Sequence, residues 1–191
     1  RFELPVELLS CGPQWSGDQP TMIDQTRTID TPGRIHNNCS GKHAGMLVLS
    51  RCLGHDPKGY AALTHPVQQA ILGTLEAMVG IDLMAYPHGL DGCGAPALSA
   101  PLGNWARGFA LFAGGGALPA GRMAACTRIR QGIAAAPLMI AGDRRLCTAI
   151  GEAFGEQITA KTGAEGVFAA AFHEFGPVSY THLRAHETYR D

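Results

Sequence analysis

The spacing of apolar residues predicts a chain that is helical in its middle. A helix is expected to begin at or near Ser40, because apolar side chains recur at helical intervals up to residue 53 and a glycine follows. The clearest helical pattern starts at Pro66 and closes at Gly80. Three further helices are predicted over residues 97–113, 122–134 and 145–154.

The two remaining stretches carry no helical period. Residues 11–38 are rich in Pro, Gly, Thr and Asp, which predicts a long surface loop with one short turn of helix. Residues 157–161 and 166–172 read as two short strands joined by a turn. Helices followed by a hairpin indicate an α+β fold rather than an alternating α/β fold.

The two ends of the chain predict a fragment. The sequence opens without Met on an apolar segment, so we interpret residues 1–176 as a domain whose N-terminal part lies upstream. In residues 177–191 the composition changes abruptly to polar, without a helical or strand period, and the sequence resembles a translated sequencing-adapter read-through. We therefore interpret the tail as non-native and exclude it from the fold prediction.

Composition narrows the classes of partner. Of the 191 residues, 46% are hydrophobic and 16% are charged, which is enough to bury one core. The formal net charge of −1 provides no basic field for a nucleic acid or an anionic membrane, so a small neutral or zwitterionic partner is expected. No apolar stretch approaches the roughly 20 residues that cross a bilayer, and we expect a soluble, cytoplasmic protein.

The six cysteines are spread widely and form no C-x-x-C pair, which favours free thiols in a reducing compartment. Cys39 and Cys93 lie in polar, glycine-rich surroundings that invite a chemical interpretation. Cys52 and Cys147 lie among aliphatic residues, where we expect them to behave as small hydrophobes.

The first candidate site is the run HNNCSGKH at residues 36–43. If a helix begins at Ser40, its first amides point at the preceding loop and favour a thiolate at Cys39, whose pKa Lys42 would also lower. Ser40 and Lys42 are two residues apart and diverge on a helix, so Ser40 is interpreted as a cap rather than as a lysine-activated nucleophile.

The second candidate site is the run GLDGCGAP at residues 89–96. A tight turn explains its Asp-Gly pair but not a cysteine between two glycines. Thiolates from Cys39 and Cys93 with a nearby nitrogen donor would suit zinc, although spacing alone is weak support and Lys42 would have to lose its proton. Lys161, before a glycine-bearing turn, is either a third functional residue or a solvated hairpin lysine.

Four motifs together resemble the asparaginase II family. They are HNNCSGKHAGML at 36–47, HPVQQ at 65–69, DGCGAP at 91–96 and KTGAEG at 161–166. The likeness runs in order from about residue 9 to residue 172 and implies hydrolysis of L-asparagine to L-aspartate and ammonia. It also implies a fold similar to serine β-lactamases and serine glutaminases.

The resemblance further implies a zinc ion, bound by the residues that match Cys39, Lys42 and Cys93. Asp91 matches an acid beside the metal, and His43 matches a histidine adjacent to the lysine ligand.

Lys161 matches a catalytic lysine that works with serine residues from an N-terminal portion, including an S-x-x-K nucleophile, that this chain does not contain. The fragment alone is therefore expected to be inactive, and the resemblance implies a homodimer.

Two other hypotheses remain open at the level of sequence. Cys39 would serve as the nucleophile of a cysteine amidohydrolase, with Lys42 or His43 as its base. Alternatively, the chain is a zinc-stabilised binding module without catalysis.

Overall fold

The computed structural model describes residues 3–114, 116–164, 166–173 and 178–183. Its helices are α1 (Gln19–Thr28), α2 (Ser40–Cys52), α3 (Pro66–Val79), α4 (Leu102–Phe112), α5 (Ala120–Ala135), α6 (Leu138–Ala141) and α7 (Leu146–Phe154). Its strands are β1 (His88–Leu90), β2 (Pro96–Leu98), β3 (Ile158–Thr162), β4 (Val167–Phe172) and β5 (Val178–Leu183). The mixed content, with antiparallel sheets only in this part of the chain, confirms the α+β fold class.

Helices α2 and α3 lie where the apolar pattern predicts them. Both are followed by a glycine in the left-handed region, Gly54 at φ +73° and Gly80 at φ +80°, where other residues are strained. The predictions for α5 and α7 are also confirmed, to within two residues at each end.

Helix α1 corrects the prediction of a long loop over residues 11–38. It is capped by Asp18, whose carboxylate accepts a hydrogen bond from the backbone N–H of Thr21, and Pro20 lies in its first turn. None of its residues is buried, so the helix has no apolar stripe for a periodicity argument to detect.

The predicted helix over residues 97–113 begins too early. Its first residues belong to β2, which pairs antiparallel with β1, and α4 starts only after Pro101. A proline fixes its own φ and disfavours helical geometry in the residue before it, so the helix cannot extend back into β2.

The hairpin of β3 and β4 is confirmed, and a further strand, β5, lies at residues 178–183, within the tail excluded from the fold prediction. There β5 pairs antiparallel with the second edge of β4, which gives the order β3-β4-β5. The pairing supplies partners for backbone groups that β4 would otherwise expose along that edge.

The chain divides into two compact units, residues 1–74 with 82–99 and residues 75–81 with 100–191. The core of the first unit consists of Leu9, Cys11, Met46, Leu47, Tyr60, Val67, Cys93 and Ala95. The second unit contains the three-stranded sheet and helices α4 to α7. Among the described helices, none has the length and apolarity that crossing a membrane requires.

His173 is a half-buried titratable group of the second unit. Its Nδ1 lies 3.2 Å from the carbonyl oxygen of Ala113, and its Nε2 lies 3.0 Å from Oγ1 of Thr159. A carbonyl only accepts, so Nδ1 carries the proton and Nε2 accepts from the hydroxyl in the neutral ring. Burial lowers the pKa of His173, and the hydrogen bond to Ala113 offsets this only in part.

We therefore expect the free energy of unfolding to decrease as the pH falls from about 7.5 to about 5, because unfolded His173 binds a proton more readily than the folded ring does. This contribution is complete above the ordinary pKa of 6.5 and is lost as the pH falls below it. Urea unfolding across this range should be less pH-dependent in His173→Gln and unchanged in His88→Gln, which alters an exposed histidine. An unchanged pH dependence in His173→Gln would contradict the assignment.

Candidate functional site

Residues 9–12, called here the strap, run against the segment that leads into α2. The guanidinium of Arg34 donates through Nη1 to the carbonyl oxygens of Leu9 at 2.9 Å and Cys11 at 3.0 Å. The Cys11 thiol in turn lies 3.6 Å from the carbonyl oxygen of Arg34. One side chain thus satisfies two backbone acceptors of the strap, and Cys11 is completely buried.

Asn37 joins the strap to the start of α2. Its Nδ2 donates to the carbonyl oxygen of Gly12 at 2.8 Å, and its Oδ1 accepts from the backbone N–H of Cys39 at 2.8 Å. Cys39 is the N-cap residue of α2, so the interpretation of Ser40 as the cap is wrong. The cap position makes no side-chain cap bond, and Asn37, which is 7% exposed, instead fixes the backbone there.

His43 is fully buried one turn into α2 and is hydrogen-bonded at Nδ1. The hydroxyl of Tyr60 lies 2.6 Å from Nδ1, and Oγ of Ser10, in the strap, lies 3.2 Å from it. The two rings meet edge to face with centroids 5.6 Å apart. Nε2 of His43 is buried without a hydrogen-bond partner among the described residues.

The loop between β1 and β2 presents Asp91 and Cys93. The backbone N–H of Asp91 donates to Ala95, and that of Gly94 donates back to Asp91, each at 2.8 Å. Gly94 has φ +84°, and the carboxylate of Asp91 accepts from the N–H of Gly92. The loop is therefore a tight turn that also holds the carboxylate of Asp91 beside the thiol of Cys93.

The structure brings the two predicted motifs together. Lys42 donates to Oδ2 of Asp91 at 2.7 Å, and the Cys93 thiol lies 3.5 Å from the same oxygen. The ligand atoms of Cys39, Asp91 and Cys93 all lie within 4.8 Å of one another. We call Cys39, Lys42, Asp91 and Cys93 the thiol–carboxylate cluster.

The charges of this cluster depend on burial and on the ion pair. Burial raises the pKa of Cys39 and outweighs Lys42, which acts to lower it, so the prediction of a lowered thiol pKa is wrong. For Lys42, burial acts to lower the pKa. The hydrogen bonds to Asp91 and Cys93 act to raise it and outweigh burial, so the pKa is raised and the ammonium persists. The hydrogen bond from Lys42 lowers the pKa of Asp91.

The Lys42–Asp91 pair is about 40% exposed at both side chains, so it contributes about 0–1 kcal/mol to stability. Its role is to place groups rather than to hold the fold.

The donor set fits a metal ion. Two sulfurs on a tetrahedral zinc lie about 3.8 Å apart, with Zn–S bonds of about 2.3 Å, so small side-chain rotations would close the present spacing. Cys39 and Cys93 supply the soft ligands that zinc prefers, and Asp91 is the third donor in place. Lys42, the third ligand implied by the resemblance, would first have to lose the proton that it donates to Asp91.

The remaining candidate residues are described separately from this cluster. Lys161 belongs to the second unit, on β3, where its exposed ammonium donates to the carbonyl of Thr162. All six cysteines are free thiols, and Cys147 is buried as predicted. Cys52 is exposed, because it ends α2 on the face away from the core, so the prediction of a small buried hydrophobe is wrong there.

Sequence reasoning missed four residues that hold the cluster in place, namely Ser10, Cys11, Arg34 and Tyr60, and it assigned no role to Asn37 within the first candidate site. Their contacts join positions 17 to 50 residues apart, and no spacing rule reports such pairs. The available signal was the cluster of Asn37 with polar neighbours before the helix, which is typical of a side chain that caps backbone groups.

We expect Asn37→Ala to lower the free energy of unfolding by about 1–3 kcal/mol, because the carbonyl of Gly12 and the backbone N–H of Cys39 lose their hydrogen-bond partner. Asn38→Ala, which changes the exposed neighbour, is the matched control and should stay within about 0.5 kcal/mol of the wild type. Urea unfolding of both variants measures the difference. Equal effects would contradict the role given to Asn37.

A comparison with protein families matches residues 1–180 to the model of L-asparaginase II. The match includes all of the thiol–carboxylate cluster and Lys161. No curated protein matches the chain. Because the family model covers nearly all of the sequence, with the two cysteine motifs meeting in one cluster, the chain belongs to the asparaginase II family.

Proposed function

We propose that the chain is the metal-binding part of an L-asparaginase, which hydrolyses L-asparagine to L-aspartate and ammonia. The observation that carries the proposal is the meeting of Cys39, Asp91 and Cys93 from two distant motifs, in a chain that matches the family along residues 1–180. A small zwitterionic substrate also suits a formal net charge of −1.

In this proposal the attacking serine and its S-x-x-K lysine come from a segment that residues 1–191 do not contain. Lys161 lies at the end of β3 and moves a proton for that serine, which attacks the side-chain amide of asparagine. Water then resolves the acyl enzyme. Among the described residues, the exposed ammonium of Lys161 donates to the carbonyl of Thr162, which leaves it accessible to such a segment.

The cofactor in this proposal is zinc, held by Cys39, Lys42 and Cys93, where it would supply a fixed positive charge that positions substrate. Asp91 accepts the hydrogen bond of Lys42 and so orients that amine toward the thiols. His43 supports the cluster from within the core, since its ring is fully buried. We also propose a homodimer, on the resemblance alone, and a cytoplasmic location, which the free cysteines support.

The geometry disfavours Cys39 as the nucleophile. Burial raises the pKa of its thiol, whereas a nucleophilic cysteine needs a lowered one. Neither candidate base is available, because Lys42 is held as an ammonium by Asp91 and Nδ1 of His43 is occupied by Tyr60.

We expect the chain, produced with the sequence that precedes it in its gene, to release ammonia from L-asparagine. In that protein Lys161→Ala should lower kcat by at least about 100-fold, because a proton-transferring group is lost. Lys58→Ala, which removes another exposed lysine, is the control and should keep the activity. An unaffected Lys161→Ala variant would contradict the assignment.

A protein that consists of residues 1–191 alone should release no ammonia from L-asparagine. If it does, and if iodoacetamide at Cys39 stops the reaction, the nucleophile lies in this chain and the cysteine hypothesis replaces the proposal. A complete protein that binds zinc and asparagine without turnover would instead favour the binding module.

For the metal, we expect one zinc ion per chain and loss of binding in Cys39→Ser or Cys93→Ser, with Cys52→Ser as the matched control. Lys42→Met should weaken zinc affinity by more than about 100-fold and Asp91→Asn by about 10-fold, as for a ligand and its hydrogen-bond partner. Competition with a chromophoric chelator measures both. The reverse order would make Asp91 the third ligand and Lys42 its partner.

A further inference from the structure

Three of the free cysteines contribute to a single apolar core, that of the first unit. Cys11 and Cys93 are members of this core, at 0% and 6% exposed, and Cys39 packs against it. The proposed metal site uses two of the three thiols as ligands. Thiols held this close to one another can also be oxidised to a disulfide, and that reaction needs no metal.

Cys39 and Cys93 are close enough for a small movement to join them. Their Sγ atoms lie within 4.8 Å of each other, and an S–S bond is about 2.0 Å long, so the sulfurs have to approach by less than about 3 Å. Cys93 has a glycine on each side, and nothing lies within 4 Å of the position that a Cβ would take at Gly92 or Gly94. The turn that carries Cys93 therefore has free space beside its backbone in which to shift.

The three thiols differ in how easily an oxidant reaches them. Cys39, at the N-terminus of α2, is part-buried, whereas Cys93 is 6% exposed. Cys11 is completely buried, and its thiol lies 3.6 Å from the carbonyl oxygen of Arg34. Because thiol–disulfide exchange requires direct contact between the attacking sulfur and the oxidant, Cys39 is the residue that meets an external disulfide first.

The burial that disfavours Cys39 as the nucleophile of an enzyme makes its oxidation slow. Burial raises the pKa of the Cys39 thiol, so only a small fraction of it is thiolate at neutral pH. A thiolate of higher pKa is the stronger nucleophile, which offsets part of this loss. We therefore expect exchange over minutes to hours, the usual range for uncatalysed disulfide rearrangement.

We propose that Cys39 and Cys93 form a redox-sensitive pair, which oxidised glutathione converts into an intramolecular disulfide when no metal is bound. The Cys39 thiolate attacks one sulfur of oxidised glutathione, which forms a mixed disulfide and releases one glutathione thiolate. The Cys93 thiolate then attacks Sγ of Cys39 and releases a second glutathione thiolate. The two cysteines lose two electrons, which the oxidant gains, and their two protons end on the two reduced glutathione molecules.

This disulfide and a metal ion exclude each other, because the metal binds the two sulfurs as thiolates. Oxidation would thus empty the proposed zinc site, and bound zinc would protect both thiols. This consequence for the metal rests on the proposed function, whereas the disulfide itself does not. A transient disulfide also agrees with the proposed cytoplasmic location, where redox-sensing disulfides occur and persistent ones are rare.

The first test maps the thiols of the chain after EDTA has removed any metal and oxidised glutathione has been added. N-ethylmaleimide labels the remaining free thiols under denaturing conditions, and mass spectrometry identifies the tryptic peptides. Cys39 and Cys93 are each the only cysteine of their tryptic peptides, residues 35–42 and 59–107, so a link between them is unambiguous.

We expect these two peptides to be linked to each other. The exposed Cys52 is the internal control, which can take up glutathione but should form no link to another cysteine. A chain that forms no link would overturn the proposal, and so would a link from Cys11 to either member of the pair.

The second test uses variants to separate the two steps. Cys93→Ser should stop at a glutathione adduct on Cys39, because the second thiol is missing. Cys39→Ser should leave Cys93 unmodified over the same period, because Cys93 is 6% exposed. Cys52→Ser is the matched control and should form the wild-type link.

Equally fast formation of both adducts would contradict the order of attack and overturn the proposal. Circular dichroism shows whether each variant is folded. The link in the wild-type chain decides the proposal even where a variant does not fold.

Zinc separates this inference from the proposed function. At a free zinc concentration about 100-fold above its Kd, about 1% of the chain is metal-free, so the disulfide should form about 100-fold more slowly. Disulfide formation that zinc does not slow would contradict the proposed metal site and support the redox pair. Zinc binding that needs both thiols, in a chain that forms no link without zinc, would overturn the redox pair and support the metal site.

Discussion

The first unit depends on the hydrogen bonds that fasten the strap, residues 9–12, to the start of α2. Arg34 and Asn37 satisfy three strap carbonyls between them, and Tyr60 satisfies a backbone N–H of the strap while it holds His43. Each lies at the edge of an apolar core, where an unmet polar group would cost about 1–3 kcal/mol. These hydrogen bonds fix the register of the strap against α2, and they fix the position of Cys39 at the N-terminus of that helix.

The chemistry of the cluster follows from that constraint. Cys39 sits at a helix start whose amides would favour a thiolate, yet burial dominates and raises the pKa of the thiol. A part-buried thiol and a buried thiol beside a carboxylate and an ammonium are poorly suited to nucleophilic attack but well suited to a cation, since a bound cation stabilises both thiolates. The same environment thus disfavours one proposed role of Cys39 and favours the other.

Local patterns in the sequence predicted α2, α3 and the β3–β4 hairpin, because each buries an apolar face with a regular period. They missed α1, which buries none of its residues, and β5, whose polar sequence shows no alternation typical of a strand. For the site, the sequence supplied Cys39 and Cys93 as unusual thiols, but nothing in it indicated that Tyr60 contacts His43. Such contacts arise from packing between distant segments, which residue spacing does not encode.

In the proposed metal site, two thiols from separate motifs share one metal ion with oxygen or nitrogen donors. X-ray absorption spectroscopy of the zinc-loaded, reduced chain tests it most directly. We expect two sulfur ligands at about 2.3 Å and the remaining donors, oxygen or nitrogen, at about 2.0–2.2 Å. A zinc shell without sulfur, or one with four sulfurs, would contradict it.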